Sequence, residues 1–147
     1  MKVDVYLDVK RTAFYDALKQ ALLEDVREVH PNVKEEEIQS GYKYKKMLSG
    51  KMKQESKCTI KIVELKENER YKATVKSDRG VTTMCYDLED EEDGTRVIYE
   101  EEFISDKGIN QANHKLVMFF YSRSSKKKME KRLRQIETYI KYHSQAE

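Results

Sequence analysis

Thr95-Arg96-Val97-Ile98-Tyr99-Glu100-Glu101-Glu102-Phe103 is the stretch whose reading decides the fold. It is rich in β-branched and aromatic residues, and alternate side chains of an extended chain share a face. Val97, Tyr99, Glu101 and Phe103 therefore lie on one side, and Ile98, Glu100, Glu102 and Ile104 on the other. The first side has three large apolar residues and one acid, the second two and two. The first is expected to point inward, carrying the Glu101 carboxylate with it. Thr95 to Ser105 reads as one long strand.

Working upstream, the same period of two recurs. Thr82, Met84, Tyr86 and Leu88 alternate with Val81, Thr83, Cys85 and Asp87. Tyr71, Ala73 and Val75 alternate with lysine and threonine, as do Cys58, Ile60 and Ile62. Gly41 to Leu48 carries Tyr42, Tyr44 and Leu48 on one face. Polar turns separate these runs, and Asp93-Gly94 is a hairpin signal. Connections this short require antiparallel neighbours. At the N-terminus Val3, Val5, Leu7 and Val9 form another half-buried strand. Phe14, Ala17, Leu18, Ala21, Leu22, Val26 and Val29 then follow at helical spacing, with Asp25 the one polar residue on the stripe. Thr12 is the expected N-cap and His30-Pro31-Asn32 the expected stop. Val33 to Ile38 suggests a short helical turn whose Glu35-Glu36-Glu37 run is a solvated face.

Downstream, Met129, Leu133, Ile136, Ile140 and His143 recur at helical spacing among lysines and arginines, the pattern of a long helix with one narrow apolar stripe. Ile109, Ala112, Leu116, Phe119 and Phe120 also fit a helix, although Leu116, Met118 and Phe120 fit a strand as well. The helix is preferred, with Ser122-Arg123-Ser124-Ser125 as its candidate break. A sheet of about six strands with one apolar face needs a cover, and only the terminal helix is long enough. The expectation is an α+β domain of β-α-β(5)-α order, a curved antiparallel sheet around a C-terminal helix, with residues 1–147 forming one unit.

This pattern resembles the helix-grip fold of the START and polyketide-cyclase-like superfamily, which includes the birch-pollen-allergen-like proteins. The Thr95–Phe103 stretch resembles that superfamily's last strand. The segment 116–120 and the helix from Lys128 through Ile140 follow as they do there. More narrowly, the chain resembles a small bacterial family of unknown function. The resemblance implies a cavity between the inner sheet face and the terminal helix, where superfamily members often bind lipids, steroids or polyketides. It implies no shared catalytic residues.

Composition narrows the function classes. The 147 residues include 29 Lys+Arg and 27 Asp+Glu, a net charge of +2, without the basic footprint of a dedicated nucleic-acid binder. The longest apolar run, Leu116 to Tyr121, falls short of a membrane span, and the charged N-terminus does not read as a signal peptide. A cytoplasmic protein is expected. Cys58 and Cys85 form no C-x-x-C motif, and His30, His114 and His143 lack ligand spacing, so neither a metal nor another cofactor is expected. The basic run Arg123 to Arg134 is read as a solvated helix face.

The candidate site residues are Tyr42, Tyr44, Tyr71, Met84, Tyr86, Tyr99, Glu101, Phe103 and Phe119. A buried carboxylate needs a partner or a raised pKa. Glu101 is thus either a ligand-orienting acid or a rim residue bonded to a tyrosine or lysine. The tyrosines offer an apolar ring with a polar tip, suited to an amphipathic pocket, or else fill the core. The favoured function is non-catalytic binding of an apolar or amphipathic small molecule or lipid, in a cavity of about 300 Å³ or more. The alternatives are a protein-interaction module, monomeric or homodimeric, and a cyclase- or hydrolase-type enzyme using Glu101 and a tyrosine.

Overall fold

The computed structural model describes residues 1–49, 55–105 and 111–145, with side chains for 1–47, 57–105 and 126–143. The elements run β1 (Lys2–Leu7), α1 (Arg11–Arg27), a 3-10 turn (Glu35–Glu37), β2 (Lys43–Ser49), β3 (Glu55–Lys66), β4 (Arg70–Ser77), β5 (Gly80–Glu91), β6 (Gly94–Ser105) and α2 (Gln111–Gln145). The strands form one antiparallel sheet in the order β1-β6-β5-β4-β3-β2. This is the expected β-α-β(5)-α helix-grip architecture. Strands β2 to β6 are a meander, and β1 closes onto β6 in a register that sets Val5 opposite Val97.

The core has two lobes under one sheet. In the first, Val3, Val5, Leu7, Leu88, Val97 and Tyr99 meet Phe14 and Tyr15 of α1 and Met129 and Leu133 of α2, with Ile136 and Ile140 packed against them. In the second, Leu22, Leu23 and Val26 of α1 meet Val33, Ile38, Tyr44, Cys58, Ile60 and Ile62. The predicted helix–sheet pairing of Met129, Leu133, Ile136 and Ile140 with the Val97 face is therefore seen. Polar contacts fix the C-terminal part of α2 to β1 and the residue that follows it. Glu137 accepts from the Asp8 backbone N–H at 2.6 Å, Lys141 pairs with Asp8 at 3.1 Å, and Arg134 donates to the Tyr6 carbonyl at 3.2 Å.

Three local expectations are corrected. Helix α1 begins at Arg11 behind an N-cap at Lys10 that makes no side-chain bond, so Thr12 is a helical residue and not the cap. A long-range contact holds the chain just ahead of the helix: the buried Thr95 hydroxyl donates to the Val9 carbonyl at 2.7 Å. The β5–β6 hairpin turns on Glu92-Asp93, one residue before Asp93-Gly94, and Glu92 takes the left-handed φ of 52°. Gly94 is the first paired residue of β6, where a Cβ would sit 2.3 Å from the Leu7 carbonyl oxygen. The glycine permits that close approach; it does not make the turn. Finally, α2 is continuous through 122–125, with no break there. The 109–121 segment is helical wherever it is described.

Candidate ligand site on the inner face of the sheet

The register places Tyr71, Tyr86 and Tyr99 side by side on β4, β5 and β6, with Val3 of β1 at the end of the row. The next row is Ala73, Met84 and Glu101, and the next Val75, Thr82 and Phe103. A bulge between Ile62 and Glu64 resets the parity of β3, so that Leu65 joins this face opposite Tyr71. Residues so aligned have side chains in contact across the strands. Tyr71 stacks on Tyr86 with centroids 5.8 Å apart, and Tyr86 meets Tyr99 edge-on at 4.8 Å.

Burial grades along this face. Val97, Leu88 and Tyr99 are buried beneath Met129 and Leu133. Tyr71, Met84, Tyr86, Glu101 and Phe103 are half-buried. Together they make an apolar shelf with three phenols and one carboxylate. The Tyr99 hydroxyl donates to Glu101 Oε1 at 2.7 Å, so the inward-facing acid has a tyrosine partner. The Tyr71 and Tyr86 hydroxyls make no hydrogen bond among the described residues. Burial raises the Tyr71 phenol to about 12, with the Asp25 carboxylate as the second cause. Burial, and then the neighbouring Tyr71, raises Tyr86 as well. Both phenols are therefore neutral at physiological pH and can donate to an acceptor.

Tyr44 and Tyr42 lie toward the β2 edge of the same face, Tyr44 in one cross-strand row with Ile60, Val75, Thr82 and Phe103. Tyr44 is buried under α1 and donates to Asp25 Oδ2 at 2.5 Å. Tyr42 packs against Tyr44 at 6.2 Å and His30 at 6.3 Å, lining a shallow corner of about 310 Å³ with Val29, Pro31 and Val33. Phe119 lies outside the described side chains. Asp25, the odd polar residue of the helical stripe, is explained: it also accepts from Lys46, an inner-face lysine that the sequence reading did not single out.

Two further hollows are bounded by described residues. A groove of about 1010 Å³ runs between α1 and α2, lined by Ala13, Ala17, Ala21, Ile136, Tyr139 and Ile140 among others. A polar hollow of about 560 Å³ lies on the outer sheet face around Lys72, Cys85, Asp87 and Glu100. Between the inner face and α2, Met129 and Leu133 pack directly on Val97 and Tyr99. Among the described residues there is no cluster of three metal-ligating side chains. Burial raises both cysteine thiols, which does not favour a reactive thiolate. No helix among the described residues is long and apolar enough to cross a membrane.

A curved antiparallel sheet closed on a C-terminal helix is the Bet v 1-like helix-grip fold. Solved structures agree on the fold. Ara h 8.0201 superposes with a TM-score of 0.62 at 15% identity over 95% of each chain. An uncharacterised protein from Rhizobium leguminosarum gives 0.63 at 12% identity, covering 97% of this chain and 93% of that one. TTHA0849 from Thermus thermophilus gives 0.62 at 15% identity over 98% of each. The chain itself belongs to the family described as a domain of unknown function, DUF3284, which matches residues 1–122. No curated protein matches it in sequence.

Proposed function

We propose that this chain is a non-catalytic binding domain for an apolar or amphipathic small molecule, held on the inner shelf of Tyr71, Met84, Tyr86, Tyr99, Glu101 and Phe103. The observation that carries this reading is the pair of neutral phenols, Tyr71 and Tyr86, without a hydrogen-bond partner among the described residues, on a largely apolar face. A ligand with an apolar body and a carbonyl or hydroxyl oxygen satisfies both features at once. The Glu101 carboxylate holds the Tyr99 hydroxyl and gives the shelf one polar edge. The free thiols of Cys58 and Cys85 suit a cytoplasmic setting.

The test is an equilibrium titration with a fluorescent fatty-acid analogue. Met84→Lys replaces an apolar contact in the middle of the shelf with a charge facing Glu101, and is expected to weaken binding at least about 30-fold, from the lost apolar burial and the cost of covering an ion pair with ligand. Tyr139→Lys, in the rival α1–α2 groove, is expected to leave binding within about twofold, since an exposed position costs little. Equal binding by wild type and Met84→Lys, or loss in Tyr139→Lys alone, contradicts the inner-face site.

A further inference from the structure

The outer face of the sheet carries a feature unrelated to the inner shelf. Lys43 and Lys45 of β2, Lys57 and Lys61 of β3, and Lys72 and Lys76 of β4 all alternate with inward-facing residues and point away from the core. Lys43 stands directly opposite Lys61, and Lys45, Thr59 and Lys76 share one cross-strand row. None of the six forms an ion pair among the described residues. On the other half of the same face the charges pair: Arg70 with Asp87 and Glu64, Arg96 with Asp4 and Glu91, and Lys2 with Glu100.

Directly opposed like charges destabilise a sheet. Protection of an exposed edge accounts for lysines on β2. It does not account for those on β3 and β4, which are paired on both sides. Lys72 stands opposite Glu64, but the other five lysines have no acid in register on the described residues of β2–β4, a concentration of positive charge in a chain whose net charge is only +2. Aliphatic side chains lie on the same face. Met47 of β2 is 48% exposed, and Ile104 of β6, in the row of Lys45, Lys76 and Val81, is 63% exposed. The outer positions of β2, β3 and β4 hold lysine, arginine, threonine, methionine, valine and glutamate, with no aromatic ring among the described ones. Bases of a single-stranded nucleic acid would find no stacking platform there. Lysines flanked by exposed aliphatics suit a lipid surface, where the cations meet headgroups and the aliphatics enter the interface.

We infer that the outer face of β2–β4 docks the protein reversibly onto anionic bilayers through Lys43, Lys45, Lys57, Lys61, Lys72 and Lys76, with Met47 and Ile104 as apolar contacts. The docking is peripheral and electrostatic, and does not depend on occupancy of the inner shelf.

Flotation with phosphatidylcholine vesicles, alone or with about 30 mol% phosphatidylglycerol, tests this at low and high salt. Binding is expected only to the anionic vesicles and is lost at about 0.5 M salt, where screening is strong. Each lysine near the surface is worth roughly a fivefold change, so K43E/K45E/K61E is expected to weaken binding more than about 100-fold. Circular dichroism of this variant should match wild type, because all three lysines are exposed. A second variant, K127E/K128E/K131E on α2, removes as many exposed cations elsewhere and is expected to bind within about threefold of wild type. M47S/I104S is expected to weaken vesicle binding while retention on a heparin column stays unchanged. No binding to anionic vesicles at low salt overturns the proposal. So does equal loss in the α2 variant. Tight binding of a single-stranded oligonucleotide through the same lysines, without vesicle binding, assigns the face to nucleic acid instead and also overturns it.

Discussion

Leu133→Ala is expected to lower the unfolding free energy by about 3–4 kcal/mol, in the range for a fully buried leucine whose cavity cannot collapse. Leu133 is 0% exposed and belongs to the cluster of Val3, Val5, Leu7, Phe14, Val97 and Tyr99. Its surroundings are rigid on two sides. The sheet is hydrogen-bonded through β1, β6 and β5, and α1 presses from beside it. The loss is therefore both the transfer energy of the missing methyls and the contacts of the walls left facing a void. Because α2 covers the sheet through a narrow stripe, few other residues can take up the load. Urea denaturation of Leu133→Ala beside Tyr142→Ala measures this. Tyr142 is 70% exposed, and its replacement should change stability by less than about 0.5 kcal/mol. A loss below about 1 kcal/mol for Leu133→Ala would mean the helix does not grip the sheet here.

Asp25→Ala is the second large effect, expected at about 2–3 kcal/mol. Asp25 of α1 accepts from the Tyr44 hydroxyl of β2 and from the Lys46 ammonium. The side chains of Asp25 and Lys46 are only 29% and 20% exposed. Removing the carboxylate leaves a mostly buried ammonium unpaired and a buried phenol without its acceptor. Residual exposure keeps the loss below the about 3–5 kcal/mol of a fully buried pair. The converse substitution separates the causes. Replacing both partners, as Asp25→Leu with Lys46→Met, should restore most of the lost stability, because no charge is then stranded. If the double variant is no more stable than Asp25→Ala in urea, the loss comes from packing of α1 and not from the broken ion pair.

Much of the fold was legible because the strands are amphipathic and have clear turns. Val97, Tyr99, Glu101 and Phe103 share a face in the sequence pattern, and the register places them on the inner face. The terminal helix was legible from a stripe whose Met129 and Leu133 are the residues buried on the sheet. What could not be read was set by contacts distant in sequence. The hydroxyl of Thr95 holds the Val9 carbonyl just ahead of α1, from 86 residues away. The Leu7 carbonyl decides why glycine occupies position 94, and so why the hairpin turns one residue earlier. Asp25 looked like a flaw in an apolar stripe until Tyr44 and Lys46 stood across from it. Periodicity also missed Tyr15 and Leu23, which are buried because α1 touches both core lobes and so buries a wider face than one stripe. Of the candidate site, the inner tyrosine row was readable from alternation alone. The burial of Tyr44 at the β2 end of the same face was not, because it depends on which part of the sheet α1 covers.

Native mass spectrometry of gently purified protein tests the central claim most directly. A binding shelf on the inner face predicts a non-covalent adduct of small-molecule mass on the wild-type chain, or its formation on adding a long-chain amphiphile. That adduct should be lost in Met84→Lys and kept in Tyr139→Lys. A bare polypeptide under every condition, or an adduct that Met84→Lys retains in full, would contradict it.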